Sequence, residues 1–561
     1  MLEKLIEGWL DKINERGYQP AFCTALAAQG HTILHNTRHS PMELGKDVVA
    51  CAGNGNVNLY QLKGDPGGRM TGNEFRTLIP QLDQLMTLAW DAGAPPNSEF
   101  PYLVTNGYVE EEARIAIAAY NARHVAAGRQ PLNVIDRGIM LSMFVTQLQA
   151  FFPTDPDRLR RLLEFMGVPG DEPFDAKSLQ SFLLETYDAR PGDPASSLTR
   201  ASFAVAILSE LISGNSVVAE NYFETIKCRV CCFAAILSWH HKAQRTVSPE
   251  VDAILGMLRS EIFSDIDALE IDYIVGGERL SRAYFADNIL INWRREVMGW
   301  LFAASLVEHK IREMAGVSSN LDPAEVDSRS TFCRMLLEDG PLWGERSQLA
   351  HLAAYFGLSA GSGNGDSDIR AMRLMMSFRH LLGREIGTAF PNLYYDYERV
   401  TRALHFPELR TPESTMPDDN FWRRSRVLEA FFLLACRKNF KDSAKSIWDV
   451  VVSFTHMGAN RISLDRFALP VDEELTEREK MFEESIDWFE ALTLAEEHAF
   501  GDGVAFFRFD VSVAMVWLLF FPYRFETEFG LTLDRIIQNS MNLEKPDRGR
   551  DEALARIVAY G

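Results

Sequence analysis

Positive charge is what this sequence has too little of. Lys and Arg number 57 against 78 Asp and Glu, a formal net charge of −21 over 561 residues. A protein that grips nucleic acid with its whole surface is basic, because phosphate contacts come from Lys and Arg. The balance therefore speaks against extended, nonspecific wrapping of DNA. It fits a local basic patch, a protein partner, or a metal that offsets acidic groups. The deficit is uneven: residues 1–150 hold 12 Lys and Arg against 15 Asp and Glu, whereas residues 151–561 hold 45 against 63.

Long apolar runs are scarce as well. The strongly apolar stretch Val511 to Phe521, "VSVAMVWLLFF", is closed by Pro522 and falls well short of the roughly 20 residues a membrane helix needs. The opening "MLEKLIEGWLDKINERGY" mixes charged and apolar groups at helical spacing, without the apolar core of a secretory signal. Seven cysteines, an odd number spread along the chain, do not make a disulfide framework. Together these absences lead to the expectation of a cytoplasmic protein with no membrane partner. Cys228, Cys231 and Cys232, with His240 and His241 beyond them, raise a zinc site. Their surroundings read as one helix, which carries the histidines about two turns from the thiols, too far for one tetrahedral centre. Buried core cysteines are the expectation.

What is present changes texture along the chain. In residues 1–150 the periodicity predicts a helix over Leu2–Arg16, strands over Thr32–Asn36, Asp47–Cys51 and Val57–Lys63, and a helix over Asn73–Ala92. A strand over Tyr102–Asn106, a helix over Glu110–Ala127 and a strand over Leu132–Asp136 leading into a helix complete an α/β unit. After the breaker "FFPTDPD", Phe151 to Asp157, nearly everything has helical period, as in "DRLRRLLEFMG" and "RSRVLEAFFLLACRKNF". A Gly/Ser-rich stretch, Gly357 to Asp368, lacks the Gly-Lys-Ser/Thr ending of a phosphate-binding loop and reads as a linker. No repeat of solenoid length is evident. The expected division is an α/β domain over 1–150, a helical domain over 151–360 and a second helical domain over 361–561.

Within the α/β unit, "GKDVVACAGNGNVNLYQLKG", Gly45 to Gly64, reads as two short strands around a Gly/Asn turn. Gln61 and Lys63, two positions apart, share one face, and Asp47 begins the facing strand. An acid and a carboxamide oxygen, with the carbonyl between Gln61 and Lys63, form a donor set for Mg²⁺, beside which a Lys positions or deprotonates a water against a phosphodiester. A solvent-exposed Asp–Lys pair on a half-exposed hairpin is the competing reading. His31, His35 and His39 recur every fourth residue before Glu43, and read either as loop histidines or as a metal or phosphate contact. Glu110 to Glu112 read as a favourable acidic first helical turn.

The ordered set Glu7, "RGYQ" (Arg16–Gln19), "GKDVVA" (Gly45–Ala50), "YQLKG" (Tyr60–Gly64), "LVTNGYVEEEA" (Leu103–Ala113) and "NVIDRGIML" (Asn133–Leu141) resembles the PD-(D/E)xK nuclease superfamily and, within it, the Mrr-like restriction endonuclease branch. The resemblance covers about the first 145 residues. It implies a restriction-endonuclease-like fold, a central mixed sheet flanked by helices, ahead of a large all-α region. It further implies that Asp47 and Gln61 hold Mg²⁺, with Mn²⁺ as a substitute, that Glu7 is the helix carboxylate with Glu3 or Glu43 as rivals, and that Lys63 is the catalytic lysine. Gln61 stands where many relatives have Asp or Glu. The implied activity is Mg²⁺-dependent endonucleolytic cleavage of DNA, in the manner of effectors of bacterial restriction and anti-phage defence. The acidic helical region would then serve regulation, sensing, a protein partner or self-assembly. A catalytically silent nuclease fold acting as a binding module is the alternative; retention of Asp47, Gln61 and Lys63 together argues against it.

Overall fold

The computed structural model describes residues 2–36, 45–90, 99–149, 156–339 apart from short gaps, and 511–520. It divides into two compact units, Met1–Asp265 and Ile266–Gly561. The Gly357–Asp368 stretch, His39, Glu43 and the helical segment Arg424–Phe440 lie outside the described residues.

The first unit is built on a mixed sheet of β1 (Thr32–Asn36), β2 (Val48–Cys51), β3 (Val57–Lys63), β5 (Glu99–Thr105) and β7 (Asn133–Ile135), in the spatial order β1-β2-β3-β5-β7. The β1–β2 and β2–β3 pairs are antiparallel, and the β3–β5 and β5–β7 pairs are parallel. A second, two-stranded ribbon pairs β4 (Arg69–Met70) with β6 (Tyr108–Val109). The β2–β3 turn closes through Gly55 N–H to Ala52 O and Ala52 N–H to Asn56 O, both 2.8 Å, with Gly55 in the left-handed region.

Alternation along β3 sends its residues to two different layers. On one side Val49, Leu59 and Leu103 pack with Phe75, Leu82 and Leu85 of α3 (Gly72–Thr87) and with Ala113, Ile117 and Tyr120 of α4 (Glu111–Ala126). Thr71 and Glu74 start α3 with a reciprocal capping box. On the other side Tyr60 meets Phe22 edge-on, at 5.3 Å between ring centres, and stacks on Tyr102. Phe22 belongs to α2 (Glu15–Ala28), which is buried over Gly17–Leu26 and lies against both the sheet and α8 (Ala195–Val218).

The expected strands Thr32–Asn36 and Val57–Lys63 are found with those bounds, and the expected single helix over Leu2–Arg16 is corrected. It is two helices, α1 (Leu2–Leu10) and α2, with the Asn14 side chain accepting from Gly17 N–H at the start of the second. Gly17 and Tyr18 of the "RGYQ" motif, just past the expected helix end at Arg16, lie inside α2. Asp47 precedes β2 instead of beginning it, and α3 ends at Thr87, short of the expected Ala92.

Beyond the sheet come α5 (Arg137–Gln149), α6 (Pro156–Met166), α7 (Ala176–Thr186), α8, α9 (Tyr222–Lys242) and α10 (Pro249–Ser281). Helices α1, α2 and α5 all pack on α8, and α8 packs on α9. Among the described residues α8 is the one helix long and apolar enough to cross a membrane, and 83% of its most apolar window is buried within the protein. Cys228, Cys231 and Cys232 are buried on α9 as unbridged thiols, as expected of core cysteines. In the second unit α11 (Ile289–Met314) packs on α12 (Pro323–Asp339) and on the helix Val511–Phe520, where Ser512 donates to Glu308 Oε2 at 2.8 Å.

Candidate functional site

The polar groups of the sheet gather where parallel strands β3, β5 and β7 end, the position at which open α/β sheets place ligands. Continuing the β2–β3 register by one pair sets Asp47 opposite Gln61. Gln61 Nε2 donates to Asp47 Oδ2 at 2.6 Å, and the same oxygen accepts from Leu62 N–H at 2.6 Å. Asp47 N–H in turn donates to Tyr60 O at 2.9 Å, so the side chain of Asp47 takes over the ladder where β2 has stopped. Gln61 is buried and Lys63 half-buried on the same face of β3. The sequence-predicted pair Asp47 and Gln61 is thus in direct contact, with Lys63 two residues on.

Glycine permits the approach at both ends of this hairpin. Gly45 has φ +74°, and a Cβ there would lie 2.6 Å from Gln81 O of α3. Gly64, after Lys63, lies against the start of α2: a Cβ would be 2.6 Å from Glu15 N and 2.3 Å from Glu15 Oε2. Gln81 O and Glu15 N are backbone atoms that cannot swing aside, so a side chain at either position forces the hairpin off its neighbours.

Past Lys63 the β3–β5 edge is held by side chains. Tyr18, fully buried on α2, donates from its hydroxyl to Lys63 O at 3.0 Å and is 3.3 Å from Val104 O, while Lys63 N–H donates to that hydroxyl at 3.1 Å. Asp65 N–H donates to Asn106 Oδ1 at 2.7 Å, and Thr105 Oγ1 donates to Asp65 Oδ2 at 2.9 Å. Burial pushes the Asp65 carboxyl up, with the neighbouring carboxylates Glu74 and Glu15 adding to it against the Thr105 hydrogen bond and Lys63. Burial likewise pushes the Lys46 ammonium down, against the attraction of Glu99.

Two further motif residues serve as fasteners. Asn106 Nδ2 donates to Leu10 O at 2.8 Å and Ile13 O at 2.6 Å, answering carbonyls at the α1–α2 corner. Arg137 bridges Asp11 at 2.6 Å and donates to Glu7 O at 3.0 Å. Glu7 therefore meets this cluster through its backbone carbonyl, and it is half-buried on α1. Glu3 is exposed on the same helix. Of the three histidines, His31 is half-exposed with its imidazole pushed down by burial, and His35 on β1 lies 4.8 Å from the Trp90 ring. Tyr18, Glu15, Asp65 and Asn106 were not singled out by spacing, although Tyr18 and Asn106 fall within the "RGYQ" and "VTNG" motifs.

Among the described residues no three His, Cys, Asp or Glu side chains gather as ligands of one ion. A donor set for Mg²⁺ here consists of Asp47, the Gln61 carboxamide oxygen and Leu62 O. Neighbouring ligands of octahedral Mg²⁺ lie about 2.9 Å apart, and Asp47 and Gln61 already stand 2.6 Å apart. Turning the Gln61 carboxamide about its last bond exchanges nitrogen for oxygen toward Asp47. The residues present fit the ion. No family model, curated protein or solved structure matches the chain.

Proposed function

We propose that the N-terminal sheet carries the centre of a Mg²⁺-dependent endonuclease of the PD-(D/E)xK, Mrr-like type, acting on phosphodiester bonds of DNA. The observation that carries this reading is the 2.6 Å contact of Asp47 with Gln61 at the carboxyl end of the parallel strands, with Lys63 next on the same face. The ordered motifs of the first 145 residues, which include this pair, support it. In this reading Asp47, Gln61 and Leu62 O hold the cation, and Mn²⁺ substitutes for Mg²⁺. A bound divalent ion supplies charge neutralisation at the phosphoryl group. Lys63 holds a water by hydrogen bonds and offers its positive charge to phosphate oxygens. Glu7 is retained as the carboxylate of the first helix, acting directly or through water.

The helical remainder, which carries most of the negative charge, serves regulation or assembly in this reading, through a protein partner or a second copy. A cytoplasmic effector of bacterial defence is the setting implied by the family resemblance. A second reading, a silent nuclease fold used for binding, draws support from one bond: Asp47 Oδ2 receives Leu62 N–H, a framework contact that needs no catalysis. Mn²⁺ titration separates the two. The nuclease reading expects saturable binding that Asp47→Asn weakens at least tenfold while the melting temperature holds; a silent fold binds no Mn²⁺ through Asp47.

A further inference from the structure

We propose, resting on the nuclease reading above, that Tyr18 is the positioning residue of Lys63, its hydroxyl acting as a wedge that ends the β3–β5 ladder and fixes the backbone from which the lysine projects. The register pairs Lys63 with Thr105 and Leu62 with Val104. At this last pair the Tyr18 oxygen lies 3.1 Å from Lys63 N, 3.0 Å from Lys63 O and 3.3 Å from Val104 O. One hydroxyl thus both accepts from and donates to Lys63, and reaches the carbonyl of the neighbouring strand. Immediately beyond, Thr105 and Asn106 side chains replace strand-to-strand bonds, and Gly64 turns away against Glu15.

Tyr18 reaches this point from α2, on the face of the sheet opposite the Gln61 and Lys63 side chains. It touches no reacting group, so its effect passes through the main chain. The two consecutive amides that set the hairpin end are each held by a side chain: Leu62 N–H by Asp47 and Lys63 N–H by Tyr18. Burial, with Glu15, Asp47 and Asp65 adding, keeps the phenol protonated, so it remains a donor across the usable pH range. A phenylalanine at this position keeps the ring and its packing and removes only the wedge.

The test uses the full chain labelled with ¹⁵N-lysine, in which Lys63→Ala identifies the Lys63 amide resonance. Tyr18→Phe is expected to shift that resonance and raise its hydrogen exchange. In plasmid nicking it is expected to lower kcat by roughly tenfold to a hundredfold with KM unchanged, as for a misplaced catalytic group. Phe22→Leu, on the same helix, is the packing control: it is expected to lower the melting temperature while leaving the Lys63 resonance and kcat in place. An unmoved Lys63 amide in Tyr18→Phe overturns the assignment, and so does the same amide shift in Phe22→Leu. If Lys63→Ala still cleaves, the nuclease reading fails; the amide resonance decides separately whether Tyr18 places Lys63.

Discussion

At the scale of single residues, Asn106 shows how a site is held by groups that do no chemistry. It is fully buried, accepts from Asp65 N–H, and donates to two carbonyls of the α1–α2 corner. Asn106→Ala leaves three backbone groups short of a partner, each costing about 1–3 kcal/mol if water does not reach it. A loss of about 3 kcal/mol in urea unfolding is the expected outcome, and a loss under about 1 kcal/mol would show that the corner is fastened elsewhere. The Asp47–Gln61 pair was legible in the sequence because a short Gly/Asn turn fixes which residues of its two strands face each other, and alternation along β3 sets Lys63 on the face of Gln61. The roles of Tyr18 and Asn106 were not. Their bonds join residues 45 and 96 positions apart, and no local pattern encodes such a meeting.

At the scale of elements, the strands were legible and one helix was hidden. β1 and β3 are short runs set between clear turn residues, Gly30 before the first and Gly55 and Gly64 either side of the second. α2 is buried over Gly17–Leu26, so it lacks the polar stripe by which an amphipathic helix is recognised, and Gly17 and Pro20 read as breakers. The α8–α9 layer behind it contains a charge cluster that apolar periodicity also conceals. Arg229 on α9, buried, pairs bidentately with Glu210 of α8 at 2.9 and 3.2 Å, and contacts Asp265 and Glu261 of α10. Arg229→Ala strands buried carboxylates and is expected to cost about 3–5 kcal/mol. Joint replacement of Arg229, Glu210 and Asp265 by apolar residues of similar volume is expected to cost far less. Comparable losses in the two variants, measured by chemical denaturation, would contradict this account of the cluster.

His240, buried near the end of α9, makes the same layer sensitive to acid. Burial pushes its imidazole down from about 6.5 to about 4, against a backbone hydrogen bond with Thr246. The unfolded chain therefore binds more protons than the folded one between these values. The neutral imidazole's contribution is intact above about pH 6.5 and is lost as the pH falls toward 4, up to about 3 kcal/mol. Unfolding measured from pH 7 to pH 4 is expected to show this slope, and His240→Gln to flatten it; equal slopes in both proteins would assign the acid sensitivity to other groups.

At the scale of the whole molecule, the change of texture near residue 150 follows the last strand among the described residues, β7, while the compact unit continues to Asp265. The reason is physical: α1, α2 and α5 lay their buried faces on α8, which lies later in the chain. A fragment of residues 1–150 exposes those faces, so it is expected to be insoluble or molten, and a fragment of residues 1–265 to unfold cooperatively. A cooperative melt from the shorter fragment would show that the sheet layers suffice alone. The net charge of −21 was legible at once and bears on the same scale. It directs the search for whatever the helical region contacts toward proteins before nucleic acid.

The central claim is that Asp47, Gln61 and Lys63 form a metal-dependent phosphodiesterase centre. Its most direct test is incubation of the full-length protein with supercoiled plasmid in Mg²⁺, in Mn²⁺ and in EDTA, beside Lys63→Ala. The account predicts nicking with either metal, none in EDTA, and none in Lys63→Ala at an unchanged melting temperature. Cleavage that persists in Lys63→Ala, or that ignores EDTA, would contradict it.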